Sequence, residues 1–136
     1  MNQKQTIKLV YLLWTTSFIS CEKSLPGSPT IVKGNVVNEQ SLPIAGVVVQ
    51  FVGVRKKGLS AIPTFTIKDT TDLNGNIEFS KVIPGGTDFA QIQPYTSNDF
   101  ATYLLVDGKF LALGIVDMIP EQFGKTMIYN FQIKKR

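Results

Sequence analysis

The sequence predicts an all-β domain, an antiparallel β-sandwich of seven or eight strands. Three observations predict it. Apolar and polar residues alternate in short runs, at the period of two that a half-buried strand needs. Gly, Pro, Asn and Asp separate these runs at short spacing. Past residue 20, no stretch has the apolar spacing of a helix of ordinary length. The 136 residues suit one domain, and 43% hydrophobic with 18% charged residues is ordinary globular composition.

The elements follow in order from Thr30. TIVKGNVVN sets Val32, Gly34 and Val36 on one face, with Lys33 and Asn35 opposite. After the turn-rich NEQSLPIAG, the run GVVVQFVGV is apolar on both faces, which predicts a central or well-covered strand. RKKGLSAIP, residues 55–63, reads as a loop, and PTFTIKDT as a strand with Phe65 and Ile67 together. Asn74-Gly75 between extended runs signals a hairpin, followed by a strand with Ile77 and Phe79 inward. Pro84 to Gly86 turns the chain again, and DFAQIQPY gives a strand with Phe89 opposite Gln91 and Gln93. Asp107-Gly108 predicts a second hairpin, and the apolar run Leu111 to Val116 is expected to be buried on both faces. IPEQFGK reads as a loop. The last strand, MIYNFQIKK, sets Tyr129, Phe131 and Ile133 inward and Asn130, Gln132 and Lys134 outward.

The first twenty residues carry a different signal. Lys4 and Lys8 precede the apolar stretch Leu9 to Ser20, which suits the core of an export signal and is too short to span a bilayer. Cys21, the single cysteine, follows at once. An exported chain with one unpaired thiol faces oxidation unless that thiol is consumed. FISC, Phe18 to Cys21, resembles the lipobox of bacterial lipoproteins, with small Ser20 before the cleavage point and Phe18 in place of the usual Leu. The resemblance implies cleavage between Ser20 and Cys21 and acylation of Cys21 by fatty chains such as palmitate. Three chains at about 0.8 kcal/mol per buried methylene would make detachment negligible. Residues 21–29 then read as the lipidated Cys and a tether, and residues 30–136 as the domain. The expected address is a Gram-negative cell envelope, lipid-anchored, with the outer membrane ahead of the inner.

VKGNVVNEQSLPIAGVVVQF, followed by TTDLNGNIEFSKVIPGG, resembles the carboxypeptidase regulatory-like domain, a transthyretin-like Greek-key sandwich. Gly34, Leu42, Pro43, Gly46, Thr71, Asp72, Gly75 and Phe79 match its pattern. Ile77 stands where an aromatic is common, and Phe89 follows Gly86 by three residues where two is usual. The likeness covers about Thr30 to Phe89 and implies structural roles. Related domains precede outer-membrane nutrient transporters, which makes such a transporter an expected partner.

Chemistry has few tools here. Counted from Asp72, a calcium loop of the EF-hand kind begins well with Asp72, Asn74 and Asn76 but then puts Ile77 at the glycine position and Ile83 at the closing carboxylate. A turn is the better reading, and neither a metal nor a cofactor is expected. The chain has no His, which removes the commonest general base and metal ligand. The transthyretin-like hydrolases of purine breakdown rely on His, so no catalytic residue and no enzyme is predicted. Without Lys4 and Lys8 the balance is 12 basic against 10 acidic residues, too even for a nucleic-acid partner. The expectation is a non-catalytic envelope lipoprotein acting as a structural or protein-interaction module. The alternative is a carbohydrate or small-ligand binder using loop aromatics, with Tyr95, Phe100 and Phe123 as its candidates. The single tryptophan, Trp14, leaves with the signal, which removes the best stacking platform for sugar. Arg55-Lys56-Lys57 and Lys134-Lys135-Arg136 read as solvated runs or as contacts to anionic lipid.

Overall fold

The computed structural model describes residues 25–136. The predicted signal segment, with Trp14, Ser20 and Cys21, lies outside the described residues. Among the described residues nine strands form: β1 (Thr30–Val37), β2 (Val48–Lys57), β3 (Ser60–Thr70), β4 (Asn76–Lys81), β5 (Phe89–Pro94), β6 (Phe100–Val106), β7 (Lys109–Leu111), β8 (Val116–Met118) and β9 (Thr126–Lys135). They make two sheets, ordered β4-β1-β9-β6-β7 and β3-β2-β5-β8. A 3₁₀ turn, Pro120–Gln122, sits between β8 and β9. The fold is the β-sandwich that the alternation predicts, with one or two more strands than expected.

The core lies between the sheets. Val32, Val36, Ile77, Phe79, Tyr129 and Phe131 face it from the first sheet, and Val49, Phe51, Ala90, Ile92 and Met118 from the second. The Phe51 ring meets Phe79 across the gap at 5.9 Å and Phe65 at 5.1 Å, edge to face. Burying such a side chain contributes about 2–3 kcal/mol. As its two-faced apolar pattern predicts, β2 is central, flanked by β3 and β5.

Several elements differ from the sequence expectation. The pairing of β1 with β9 is parallel, so the sandwich is antiparallel-dominated rather than wholly antiparallel. Gly34 makes this close pairing possible, because a Cβ there would stand 2.8 Å from the Tyr129 carbonyl oxygen. Residues 55–63 are no loop. Strands β2 and β3 continue to Lys57 and from Ser60, so the hairpin turns on Gly58-Leu59 alone. Cross-strand pairing overrides the loop-like composition there.

The Asn74-Gly75 turn does not close a hairpin either. It carries the chain from β3 in one sheet to β4 in the other, where β4 pairs with β1. The local signal specifies a tight reversal but not which strand lies beyond it. By contrast, Asp107-Gly108 does close the β6–β7 hairpin, both residues at positive φ of 49° and 76°.

Phe89 shares a face with Gln91 and Gln93, since all three differ by two residues; Ala90, Ile92 and Pro94 are the buried set. The run after β7 is exposed, not buried, with Leu111, Leu113 and Ile115 each 40–46% accessible. Gln132, expected outside, is buried because its Nε2 donates to the carbonyl oxygens of Asn38 and Glu39. The tether is shorter than its composition suggests. Leu25 packs against the core, and a Cβ at Gly124 would meet Pro26 at 2.9 Å.

Candidate functional site

The predicted turn residues come together around one carboxylate. Asp72 Oδ1 accepts the backbone N–H of Asn74 at 2.8 Å and of Asn76 at 2.9 Å. The Asp72 carbonyl accepts the Gly75 N–H, and the Asp72 N–H donates to the Asn76 carbonyl. Gly75 has φ of 73°, and a Cβ on it would stand 2.5 Å from the Val36 carbonyl oxygen. The Gly75 carbonyl in turn accepts the Val36 N–H, stapling the turn to β1. Asx-type bonding is what Asp and Asn bring to turns. Among the described residues no group of three His, Cys, Asp or Glu is placed to hold a metal ion.

The three aromatic candidates separate. Phe123 is 3% exposed and belongs to the core, so it is withdrawn as a ligand contact. It ends the 3₁₀ turn, and its loop-like neighbourhood in sequence gives no hint of its burial. Tyr95 and Phe100 meet across one open groove of about 370 Å³ at the end of the sandwich where β5 finishes and β6 starts. Ile44, Val48 and Ile133 complete its apolar walls, and Thr96 and Ser97 supply polar groups.

Tyr95 is about half exposed and well fixed. Its hydroxyl donates to Gln50 Oε1, its backbone N–H donates to the Val48 carbonyl at 2.7 Å, and Lys68 Nζ stands 4.9 Å over its ring. Phe100 is 39% exposed and starts β6 opposite Lys135. Sequence reading missed Gln50, Lys68 and Val48 as the groove's frame. Only the apolar outward position of Val48, on a strand already full on its inner face, hinted at it.

A second surface lies at the sandwich edge. Strand β7 pairs with Leu104–Val106 alone, so the side of Phe100–Tyr103 away from β9 has no strand partner among the described residues. Beyond β7 the chain makes a three-residue turn, Leu113 N–H to Leu111 carbonyl at 2.8 Å, and crosses to β8. Leu113 and Ile115 on this crossing are exposed, as are Leu111 at the end of β7 and Leu105 and Val106 at the end of β6. β8 pairs with Ala90–Ile92 only.

No known family matches the chain by its sequence profile, and no curated protein matches it. Solved structures do resemble it at low identity. A 3-chlorocatechol 1,2-dioxygenase from Rhodococcus opacus 1CP is 14% identical over 84% of this chain and 62% of its own, at a TM-score of 0.48. A pilus-presented adhesin is 6% identical over 82% of this chain and 28% of its own, at 0.47. The dioxygenase domain of a carbohydrate-binding fusion from Streptomyces sp. SirexAA-E is 23% identical over 53% and 51%, at 0.39. The chain thus spans less than two thirds of each of these proteins, and none of the likenesses assigns it an activity.

Proposed function

We propose that this chain is a non-catalytic lipoprotein, anchored to a Gram-negative envelope through acylated Cys21, whose sandwich docks a neighbouring envelope protein. The observation that carries the docking is the edge at β6 and β7. Five apolar side chains from β6, β7 and the crossing to β8 are 36–46% exposed beside a strand with an unpaired ladder. Several exposed apolar side chains at one sheet edge support an interaction surface, and an open ladder suits strand addition. An outer-membrane nutrient transporter is the proposed partner class, from the domain's resemblance to modules that precede such transporters.

The test is cross-linking in intact membranes followed by purification through the domain. Leu113→Asp with Ile115→Asp should abolish the cross-linked partner while leaving the circular dichroism of the domain unchanged. A partner retained by that double variant would sink the docking surface. Loss of membrane fractionation in Cys21→Ala tests the anchor separately.

A carbohydrate or small-ligand reading is favoured by the groove of Tyr95 and Phe100, concave and apolar with a few polar groups at its rim. A glycan array decides it. A reproducible hit lost in both Tyr95→Ala and Phe100→Ala would move the function to that groove.

A further inference from the structure

We propose that the tip of the β2–β3 hairpin is a second membrane contact, seated on an anionic phospholipid surface. Its orientation rests on the anchored reading above, which assigns no site to this hairpin.

Strand β2 pairs with β5 only over Val49–Val54, so Arg55 to Lys57 run on as a two-stranded ribbon with Ser60 to Ile62. Three residues at about 3.3 Å each carry the ribbon about 10 Å past the start of β5. Gly58, at φ of 61°, takes the turn, and Leu59 stands at the apex, fully exposed. Ile62 is 44% exposed behind it. Residues 55–63 hold three cations and no carboxylate. The nearby acid is Asp88, whose Oδ2 accepts the Lys56 backbone N–H at 2.6 Å. The Arg55 guanidinium is fixed by the Gly86 and Gly85 carbonyl oxygens at 2.7 and 3.0 Å, which engages its N–H groups without cancelling its charge. An apolar apex with cations just behind it matches the acyl boundary of a bilayer and the phosphates above it.

The chain also enters the domain at this end. Thr30 begins β1 opposite Lys81, and the residues after Lys81 lead directly to the carbonyls that hold Arg55. Leu25 is packed on the core, and four residue steps from Cys21 to Leu25 span at most about 14 Å however they are arranged. An anchor at Cys21 therefore holds the hairpin end against the membrane and turns the Asp72 turn and the Tyr95 groove away from it.

The test uses the mature acylated protein, which begins at Cys21 and has lost Trp14 with the signal, carrying Leu59→Trp as its single tryptophan. It is reconstituted with phosphatidylcholine vesicles, with or without phosphatidylglycerol, containing brominated lipid. The mature protein with Leu73→Trp, in the exposed Asp72 turn at the opposite end, serves as the distal reporter. The expected result is blue-shifted emission from the indole at position 59, quenched several-fold more than the indole at position 73 when phosphatidylglycerol is present. Adding Lys56→Glu and Lys57→Glu should remove that difference. Quenching at position 59 no greater than at position 73, or equal with and without phosphatidylglycerol, overturns the proposal. Flotation with pure phosphatidylcholine vesicles of the mature acylated protein, set against a non-acylated version beginning at Glu22, reports the anchor alone, so either idea can fail without the other.

Discussion

Replacing Asp72 separates a turn from a metal site, because the two readings rank the substitutions differently. In the structure Oδ1 of Asp72 accepts two backbone N–H bonds, at 2.8 and 2.9 Å, at an exposed turn. A hydrogen bond contributes about 0.5–1.5 kcal/mol net, and exposure puts these toward the low end because water replaces them. By that range Asp72→Ala should cost about 1–2 kcal/mol. Asp72→Asn keeps the same acceptor oxygen and should cost less than about 0.5 kcal/mol. Thermal unfolding by circular dichroism reads this, since about 1 kcal/mol shifts Tm by roughly 4 °C in a domain of this size. The expected pattern is a drop of several degrees for Ala, almost none for Asn, and no response of either protein to calcium or EDTA. Equal losses for Ala and Asn, together with a Tm of the unaltered chain that falls in EDTA, would refute the turn and restore an ion.

Three further outcomes follow from the packing. Gly34→Ala brings a Cβ to 2.8 Å from the Tyr129 carbonyl oxygen and 3.1 Å from Ile77 Cγ2. Overpacking of about 1–3 kcal/mol outweighs the half to one kcal/mol that Ala gains in chain entropy, so urea unfolding should show a net loss. Phe51→Ala removes a fully buried ring that touches both Phe65 and Phe79, and should cost about 3–5 kcal/mol in the same assay. The buried Tyr129 hydroxyl has no hydrogen-bond partner among the described residues, and burial raises its pKa above 10.0. A raised folded-state value means that this contribution to stability is fully present below the ordinary tyrosine pKa and is lost as pH climbs through the folded value, because the unfolded chain releases that proton first. Tyr129→Phe should add about 1 kcal/mol at neutral pH and flatten the alkaline loss, read as unfolding midpoints across roughly pH 8–12.

Much of the fold is legible one strand at a time. Val32, Gly34 and Val36, or Ile77 and Phe79, announce their buried face because side chains alternate strictly along a strand. The Asx turn at Asp72 and the hairpin at Asp107-Gly108 are readable for the same local reason: a positive φ or a self-capping carboxylate is a property of a few adjacent residues. Partnership is not readable. The parallel pairing of β1 with β9 joins the two ends of the domain, and nothing in either strand specifies direction. Residues 55–63 look like a loop by composition, yet two strands pair through them.

The candidate site shows the same division. Tyr95 and Phe100 are near in sequence, but Ile44, Val48 and Ile133 reach them only through the sandwich. Phe123 looks just as available in sequence and is core. Leu111 to Val116 reads as a buried strand; the β6–β7 hairpin instead leaves it crossing an edge with no layer outside it among the described residues.

The sequence by itself determined the class of fold and the turns, because alternation and turn chemistry are each encoded within about a dozen neighbouring residues. Only the tertiary structure decided which strands pair, which aromatics share a groove, which apolar residues stay exposed and that the basic hairpin projects beside the point of chain entry. Those are relations between distant segments, and they are settled by how the whole chain shares one core.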